Sequence, residues 1–263
     1  SNIQIIHIID HPVNVSALCL RAIPQQVKGL PGLMELSKRM KNNACLVDQG
    51  SMAADIGCDH GYVSIFLVQE RKCKKVIAMD IGKGPLSQAQ KNIEAACLQD
   101  KIQCRLSNGM EKLTPGEVDT VLVAGMGGRL MGSILTSHPD VTDSLKTLVL
   151  QPQWDYEYIR KLVVSLGFSI IKEVFVTEHG KPYIAMKCVR SIQDVVPYSK
   201  AEFCFGRMSV IENADEYRSY LSRQLEKNKR LMEKLSESTG VHAAARLEEL
   251  KETVALIKEA LNQ

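Results

Sequence analysis

No run of about 18 apolar residues occurs anywhere in the chain, so nothing in it reads as a membrane-spanning helix. There is no C-x-x-C pair either. The eight cysteines are dispersed through 263 residues, most in apolar contexts, which favours reduced thiols in a cytoplasmic protein over disulfides or a zinc site. The basic n-region of a secretory signal is missing. Charge of one sign is also scarce. With 33 Lys+Arg against 30 Asp+Glu the net charge is +3, so composition alone gives no argument for nucleic acid, although such a total can conceal a basic face. What remains, 45% hydrophobic and 24% charged residues, is ordinary for a globular protein. The length suits one domain with an appendage.

The informative stretch is Ala54-Asp55-Ile56-Gly57-Cys58-Asp59-His60-Gly61-Tyr62. An apolar run from Met52 to Ile56 ends in a glycine-spaced turn, and a helical pattern (Val63, Ile65, Phe66, Leu67) follows. Strand, tight loop and helix in that order open a doubly wound α/β domain, whose ligands sit beyond the strand C-termini. Gly57 supplies a sharp turn, and Gly61 is expected to let the helix start lie close to the strand. A dinucleotide fingerprint would offer G-x-G-x-x-G to a pyrophosphate. Here Asp55 and Asp59 bracket the first glycine instead, and two carboxylates repel a phosphate. They suit a ligand carrying an ammonium and a sulfonium, as S-adenosylmethionine does. Asp59 has a plainer alternative as a helix cap.

The following segments extend the same pattern. Lys75 to Asp80 reads as a second strand ending in an acid placed to bond the two ribose hydroxyls of a nucleoside, or else as a turn-forming Asp before Gly82. A helix from Gly84-Pro85, a third strand Ile102–Leu106 and a polar loop Ser107-Asn108-Gly109 come next, the loop placing an amide where an adenine ring is read. The fourth strand, Asp119–Gly125, runs into Met126-Gly127-Gly128. Glycines 125, 127 and 128 imply unusual φ angles or the close approach of something flat, such as a base taken out of its stack. Tyr62 and Trp154 are candidates to stack on it, or they belong to the core. Leu148–Leu150 is a fifth strand ending in Gln151-Pro152-Gln153-Trp154, and the segments around Glu178–Pro182 form a closing β-hairpin.

Beyond Arg190 the period changes. Leu221, Leu225, Met232 and Leu235, with Arg218 and Asn228 filling seam positions, then Leu247, Leu250, Val254, Ile257 and Leu261, recur at three- and four-residue steps on either side of a break at Ser236–Gly240. This predicts an antiparallel coiled-coil hairpin, either a packing or dimerisation arm or a ruler for a large substrate. Arg218, Arg223, Lys227, Lys229, Arg230 and Lys234 are dense enough to meet several phosphates. With an apolar seam of its own, the hairpin is expected to be removable from a catalytic domain that stays folded.

Leu36-Ser-Lys-Arg39, Ala54–Gly61, Gly82-Lys-Gly-Pro85, Ala124-Gly-Met-Gly-Gly128 and Leu150-Gln-Pro152 together resemble the bacterial tRNA (adenine-22-N1)-methyltransferases. The resemblance spans about Leu36 to Arg190, with the C-terminal hairpin also in the family's manner. It implies a class I (Rossmann-like) methyltransferase domain at 34–190, a coiled-coil domain at 191–263, S-adenosylmethionine as cofactor and tRNA as partner, with no metal and no membrane. Residues 1–33 read as an N-terminal arm, non-native or accessory, with Met34 a candidate initiator. Two positions depart from the family pattern, Asn108 where Asp is usual and Gln153 where Asn is usual.

The chemistry of the residues agrees with methylation of a ring nitrogen. The turn after strand four lacks the Asn/Asp-Pro-Pro-aromatic signature of exocyclic-amine methylation, and no Pro-Cys nucleophile exists for carbon methylation. Adenine N1 already carries an in-plane lone pair, so alignment is the main requirement. Asp59 is placed to offset the charge the base gains, with His60 orienting it or touching the base; a capping Asp beside a packing His is the alternative. The expected cofactor contacts are Asp55, Gly57, Asp59, Asp80, Asn108, Gly109, Gly125 and Met126. The expected substrate contacts are Arg39, Tyr62, Gly127, Gly128, Gln151 and Pro152. A methyltransferase acting on another substrate, and a catalytically idle module that binds RNA or a partner, are the competing readings.

Overall fold

Continuous apolar runs belong in strands covered on both faces; such runs supply the inner strands of one sheet whose parallel part has five strands, with a more polar strand, Ile102–Leu106, at its edge. The computed structural model describes residues 36–191, 196–237 and 241–263. The expected N-terminal arm and residues 238–240 of the interhelical break lie outside the described residues. Strands β1 (Met52–Ile56), β2 (Lys75–Asp80), β3 (Ile102–Leu106), β4 (Thr120–Met126) and β5 (Thr147–Pro152) pair in parallel. Strands β6 (Phe168–Glu178) and β7 (Lys181–Arg190) form the expected hairpin, and β7 joins β5 antiparallel. The hairpin tip His179-Gly180 has positive φ at both residues, the geometry that matches the twist of the flanking strands.

The strand order is β3-β2-β1-β4-β5-β7-β6. The order reverses between β1 and β4, and a crevice opens there at the C-terminal edge. Helix α1 (Lys38–Cys45) starts at Ser37, whose Oγ accepts the Met40 N–H at 3.3 Å. It is followed by α2 (Tyr62–Gln69), α3 (Lys83–Ala95), α4 (Gly128–Ser137), α5 (Pro139–Ser144) and α6 (Tyr156–Ser165). Gly61 makes a different contact from the one expected. It precedes α2 with φ 74°, and a Cβ there would stand 3.0 Å from the Ala89 Cβ of α3, so it brings helix to helix, not helix to strand.

The C-terminal part contains α7 (Lys200–Phe205), a 3-10 turn (Met208–Val210), α8 (Ala214–Ser236) and α9 (Val241–Leu261). Helices α8 and α9 pack on each other, burying Leu221, Leu250, Val254 and Ile257. Towards the tip the seam is thinner, with Met232, Leu235 and Leu247 only half-buried. Their base is part of the sheet's core. Phe175 of β6 meets Tyr217 and Tyr220 of α8 at ring-centroid distances of 5.0 and 5.2 Å. Asn213 Oδ1 accepts the Phe175 N–H at 3.0 Å while its amide donates to the Phe175 carbonyl.

Beneath this junction lies a fully buried ion pair. Arg160 of α6 grips Glu173 of β6 through two bonds of 2.8 Å, and its Nη1 donates to the Phe203 and Cys204 carbonyls of α7, each at 2.9 Å. Gly206 closes over it with φ 84°, where a Cβ would approach Glu173 Oε2 to 2.8 Å. Glu35–Gln263 accordingly forms one compact unit, and a cut near residue 195 passes through a shared core instead of between two cores.

Truncation at residue 195 is therefore expected to abolish cooperative unfolding, contrary to the independence suggested by the helical seam. Arg160→Ala should lower stability by about 3–5 kcal/mol, because Glu173 is left buried without its partner. Urea denaturation checks both, and a truncated domain with a wild-type midpoint would contradict the shared core.

Candidate functional site

The chain leaves β1 through Gly57, and β4 bulges at Gly125 before its end, with φ of 76° and 75°. Both residues occupy the left-handed region that glycine enters freely. Between them is a cavity of about 160 Å³ lined by Arg39, Met40, Asn43, Asp55, Gly57, Cys58, Asp59, Val63, Leu122, Ala124 and Gly125. It opens at the crevice the topology sets up. A Cβ at Gly57 would collide with the Met126 Cε, so Met126 lies across the first loop.

Four carboxylates surround this crevice and do different things. Asp55 is buried, and Ser64 Oγ donates to its Oδ2 at 2.7 Å. Burial pushes its carboxyl up to about 6 against the Ser64 bond, with the charge of Asp80 adding to the rise. Asp80 accepts the Gly82 N–H at 2.8 Å on Oδ1 and the Asp59 N–H at 3.1 Å on Oδ2, so it ties the loop after β2 to the loop after β1. Each of its oxygens keeps one further acceptor position. Asp59, at φ 50°, exposes 69% of its side chain and stands 3.6 Å from His60 Nε2. It caps nothing, because α2 starts at Gly61 without a side-chain cap. Glu178 lies outside the cavity and binds Arg39, accepting its backbone N–H at 3.1 Å and facing its Nε at 3.5 Å.

Arg39 joins α1 to the sheet. Its Nη1 donates to Gln151 Oε1 at 2.7 Å, and the guanidinium lies 5.1 Å from the Tyr183 ring centroid. Gln151 is buried and donates to the Pro152 carbonyl at 3.0 Å, so it links the end of β5 to Arg39. Asn43, also buried, lines the cavity with an Oδ1 that has no hydrogen-bond partner. The Cys58 thiol is pushed up by burial and by Asp55 and Asp80, which keeps it protonated and unsuited to attack as a thiolate.

The other expected residues fall in two groups. Asn108 is exposed beyond β3, and Gly109 (φ 57°) packs against Ile134, where a Cβ would come within 3.1 Å. The Ser107 N–H donates to the Asp80 carbonyl at 2.9 Å, so this loop lies beside the acid. Tyr62 is half-buried with its ring 6.2 Å from that of His60. Gly127 and Gly128 do not form an open slot. A Cβ on Gly127 would lie 2.7 Å from Trp154 Cζ2, and one on Gly128 would lie 2.7 Å from Asp155 Cβ. Chain from 154–155 already fills that space. Sequence reasoning passed over Ile81 and Leu106, which are 71% and 43% exposed on either side of the β2–β3 end. Ile81 follows Asp80 directly, but Leu106 reaches it only through the β2–β3 pairing, so no local pattern joined the two.

A ligand with a cationic head, a carboxylate and a nucleoside matches this donor set. The cavity is lined by the unpartnered Asn43 Oδ1 and the carboxylates of Asp55 and Asp59, Arg39 stands on its wall already paired with Glu178, and Asp80 keeps free acceptor positions beside it. The described residues contain no group of three or more side chains arranged to hold a metal ion, and no helix among them is long and apolar enough to cross a membrane.

Comparison with known proteins bears on this arrangement. The family described as a methyltransferase domain matches residues 36–186. The tRNA (adenine(22)-N(1))-methyltransferase of Bacillus subtilis is 28% identical over 233 residues, covering 87% of this chain and 98% of that protein. A Streptococcus pneumoniae putative tRNA (m1A22) methyltransferase, solved in complex with S-adenosyl-L-methionine, is 30% identical, with a TM-score of 0.73 over 86% of this chain and all (100%) of that one. An uncharacterized protein of Listeria monocytogenes superposes with a TM-score of 0.80 at 27% identity, over 86% of this chain and 100% of that one.

Protonation of Asp55 generates a prediction. Its folded-state value lies above the unfolded one of about 3.9, so the stability it contributes is present below about pH 4 and is lost as pH rises to about 6. A cationic ligand requires the opposite form, the carboxylate. Calorimetric titration with S-adenosylmethionine should therefore show affinity falling below about pH 6, by up to about tenfold per pH unit. Asp55→Asn should bind weakly and lose that dependence. Affinity unchanged between pH 7 and pH 5 in the wild-type protein would remove Asp55 from the site.

Proposed function

This chain belongs to the methyltransferase-domain family, and we propose that it transfers a methyl group from S-adenosylmethionine to N1 of an adenine in tRNA, adenine 22 by the activity its relatives are named for. The observation that carries the reading is the crevice between β1 and β4, acidic on one wall, at the one point where the strand order reverses. When bound, S-adenosylmethionine supplies a sulfonium-activated methyl group, which a ring-nitrogen lone pair accepts without prior deprotonation.

The residues divide the work by position. Asp80, held by two backbone N–H groups, presents its remaining acceptor positions to the ribose hydroxyls. Ile81 and Leu106 offer apolar surface to the adenine ring of the cofactor, with Asn108 at its edge. Asn43 and Asp55 receive the ammonium, and Arg39 the carboxylate. Asp59 remains as a solvent-facing carboxylate beside His60, free to offset the charge that the target base gains. Such a group belongs to the transition state more than to the encounter complex.

The tRNA itself needs a surface larger than the crevice. Arg223, Lys227, Arg230 and Lys234 are exposed along α8 and suit contacts to phosphate. Arg218 is not among them, since its Nη1 donates to the Leu261 carbonyl at 2.7 Å and closes the base of the arm. Methylation of tRNA suits a cytoplasmic protein.

The test is incorporation of label from S-adenosylmethionine into unmodified tRNA. Wild-type protein should label tRNA, with an affinity that falls steeply as salt rises. Asp59→Asn should lower kcat far more than it weakens tRNA binding. Cofactor binding without labelling of any tRNA would defeat the proposal, and equal losses in kcat and binding would reduce Asp59 to a binding residue.

A further inference from the structure

Trp154 is the single tryptophan of the chain, and 56% of it is exposed on the turn after β5, next to the end of β4. Packing does not account for such exposure of the largest apolar side chain. Its position is nevertheless closely constrained. Gln153 donates its backbone N–H to the Met126 carbonyl at 2.9 Å and its side-chain amide to the Gly125 carbonyl at 2.7 Å, binding the turn after β5 to the turn after β4. Gly127 then receives the indole, whose Cζ2, Cε2 and Nε1 lie 2.7, 2.8 and 2.9 Å from where a Cβ would stand. One side of the ring system is thus seated on a glycine while the rest faces solvent. Gly125, two residues away, lines the cavity.

Resting on the methyltransferase reading above, we propose that Trp154 is the stacking platform for the target adenine, and that Gly127 and Gln153 are the positioning residues that hold its indole at the cavity mouth. A base leaving its helix loses its stacking partners, and an exposed aromatic face replaces them whatever the sequence around it. The indole suits this reaction in a second way. Adenine becomes cationic once methylated at N1, and an indole face attracts a cation more strongly than other aromatic rings do. Trp154 therefore acts both in holding the base and in favouring the charge that develops on it. The absence of a Cβ at Gly127 is a requirement of that seat.

A lone tryptophan also provides the readout. Titrating an unmodified tRNA transcript into wild-type protein should quench its tryptophan emission, while the same transcript with an abasic residue at the target position should bind without comparable quenching. Trp154→Ala should lower kcat/KM for tRNA by about tenfold or more and leave the calorimetric affinity for S-adenosylmethionine unchanged. Trp154→Phe should recover most of the loss, and Gly127→Ala should reproduce it by displacing the ring. Equal quenching by the two transcripts, or a Trp154→Ala protein with wild-type kcat/KM, would overturn the proposal and leave the methyltransferase reading intact. A wild-type protein that methylates no tRNA would overturn both.

Discussion

The carboxylate of Asp80 is the point on which the site depends. Two loops, one after β1 and one after β2, have backbone N–H groups aimed into the same small space, and each group needs an acceptor. Asp80 supplies both, taking Asp59 N–H on one oxygen and Gly82 N–H on the other. With the loops joined in this way, Gly57 can turn away from the sheet, Asp55 stays buried beneath, and Asp59 is directed outward. The Met79 carbonyl, which accepts the Gly57 and Cys58 N–H groups, holds the base of the same loop, and Asp80 fixes its outer part. An acidic crevice, better suited to a cation than to a phosphate, is the chemical result.

A second constraint connects the site to the helical arm. The Arg160–Glu173 pair has no solvent to satisfy it, so every donor and acceptor must find a protein partner. The carbonyls of Phe203 and Cys204 complete that shell, and Gly206 is required for the chain to pass over it. The arm is thereby a fixed extension of the catalytic sheet, and whatever α8 contacts is positioned relative to the crevice through buried atoms. A rigid arm suits the recognition of one adenine among many, because the distance between arm and crevice is then set by the protein.

Much of this was legible in the chain itself, for reasons of local physics. Strands appear as short apolar runs, the β1 loop as two acids around a glycine, and α8 and α9 as a three- and four-residue period. Contacts between remote segments were not legible. Arg160 looks like any basic helix residue until Glu173 and residues 203–204 meet it, and the helical seam alone hid the core shared at its base. The glycines at 127 and 128 announced a close approach correctly, but what approaches is the chain's own Trp154 and Asp155. Asp59 also had a plainer reading as a cap, and the start of α2 at Gly61 separates it from that role.

The most direct measurement follows from where N1 lies. It is on the pairing edge of adenine, so a methyl group there stops base pairing and halts a copying polymerase. Primer extension along an unmodified tRNA, before and after incubation with the protein and S-adenosylmethionine, should show one new stop, at adenine 22, with mass analysis of the hydrolysed tRNA giving a methyladenosine. Extension unchanged after the tRNA has demonstrably been methylated would place the methyl group on another atom. No methylation at all, with the cofactor bound, would contradict the account of what this crevice is built to do.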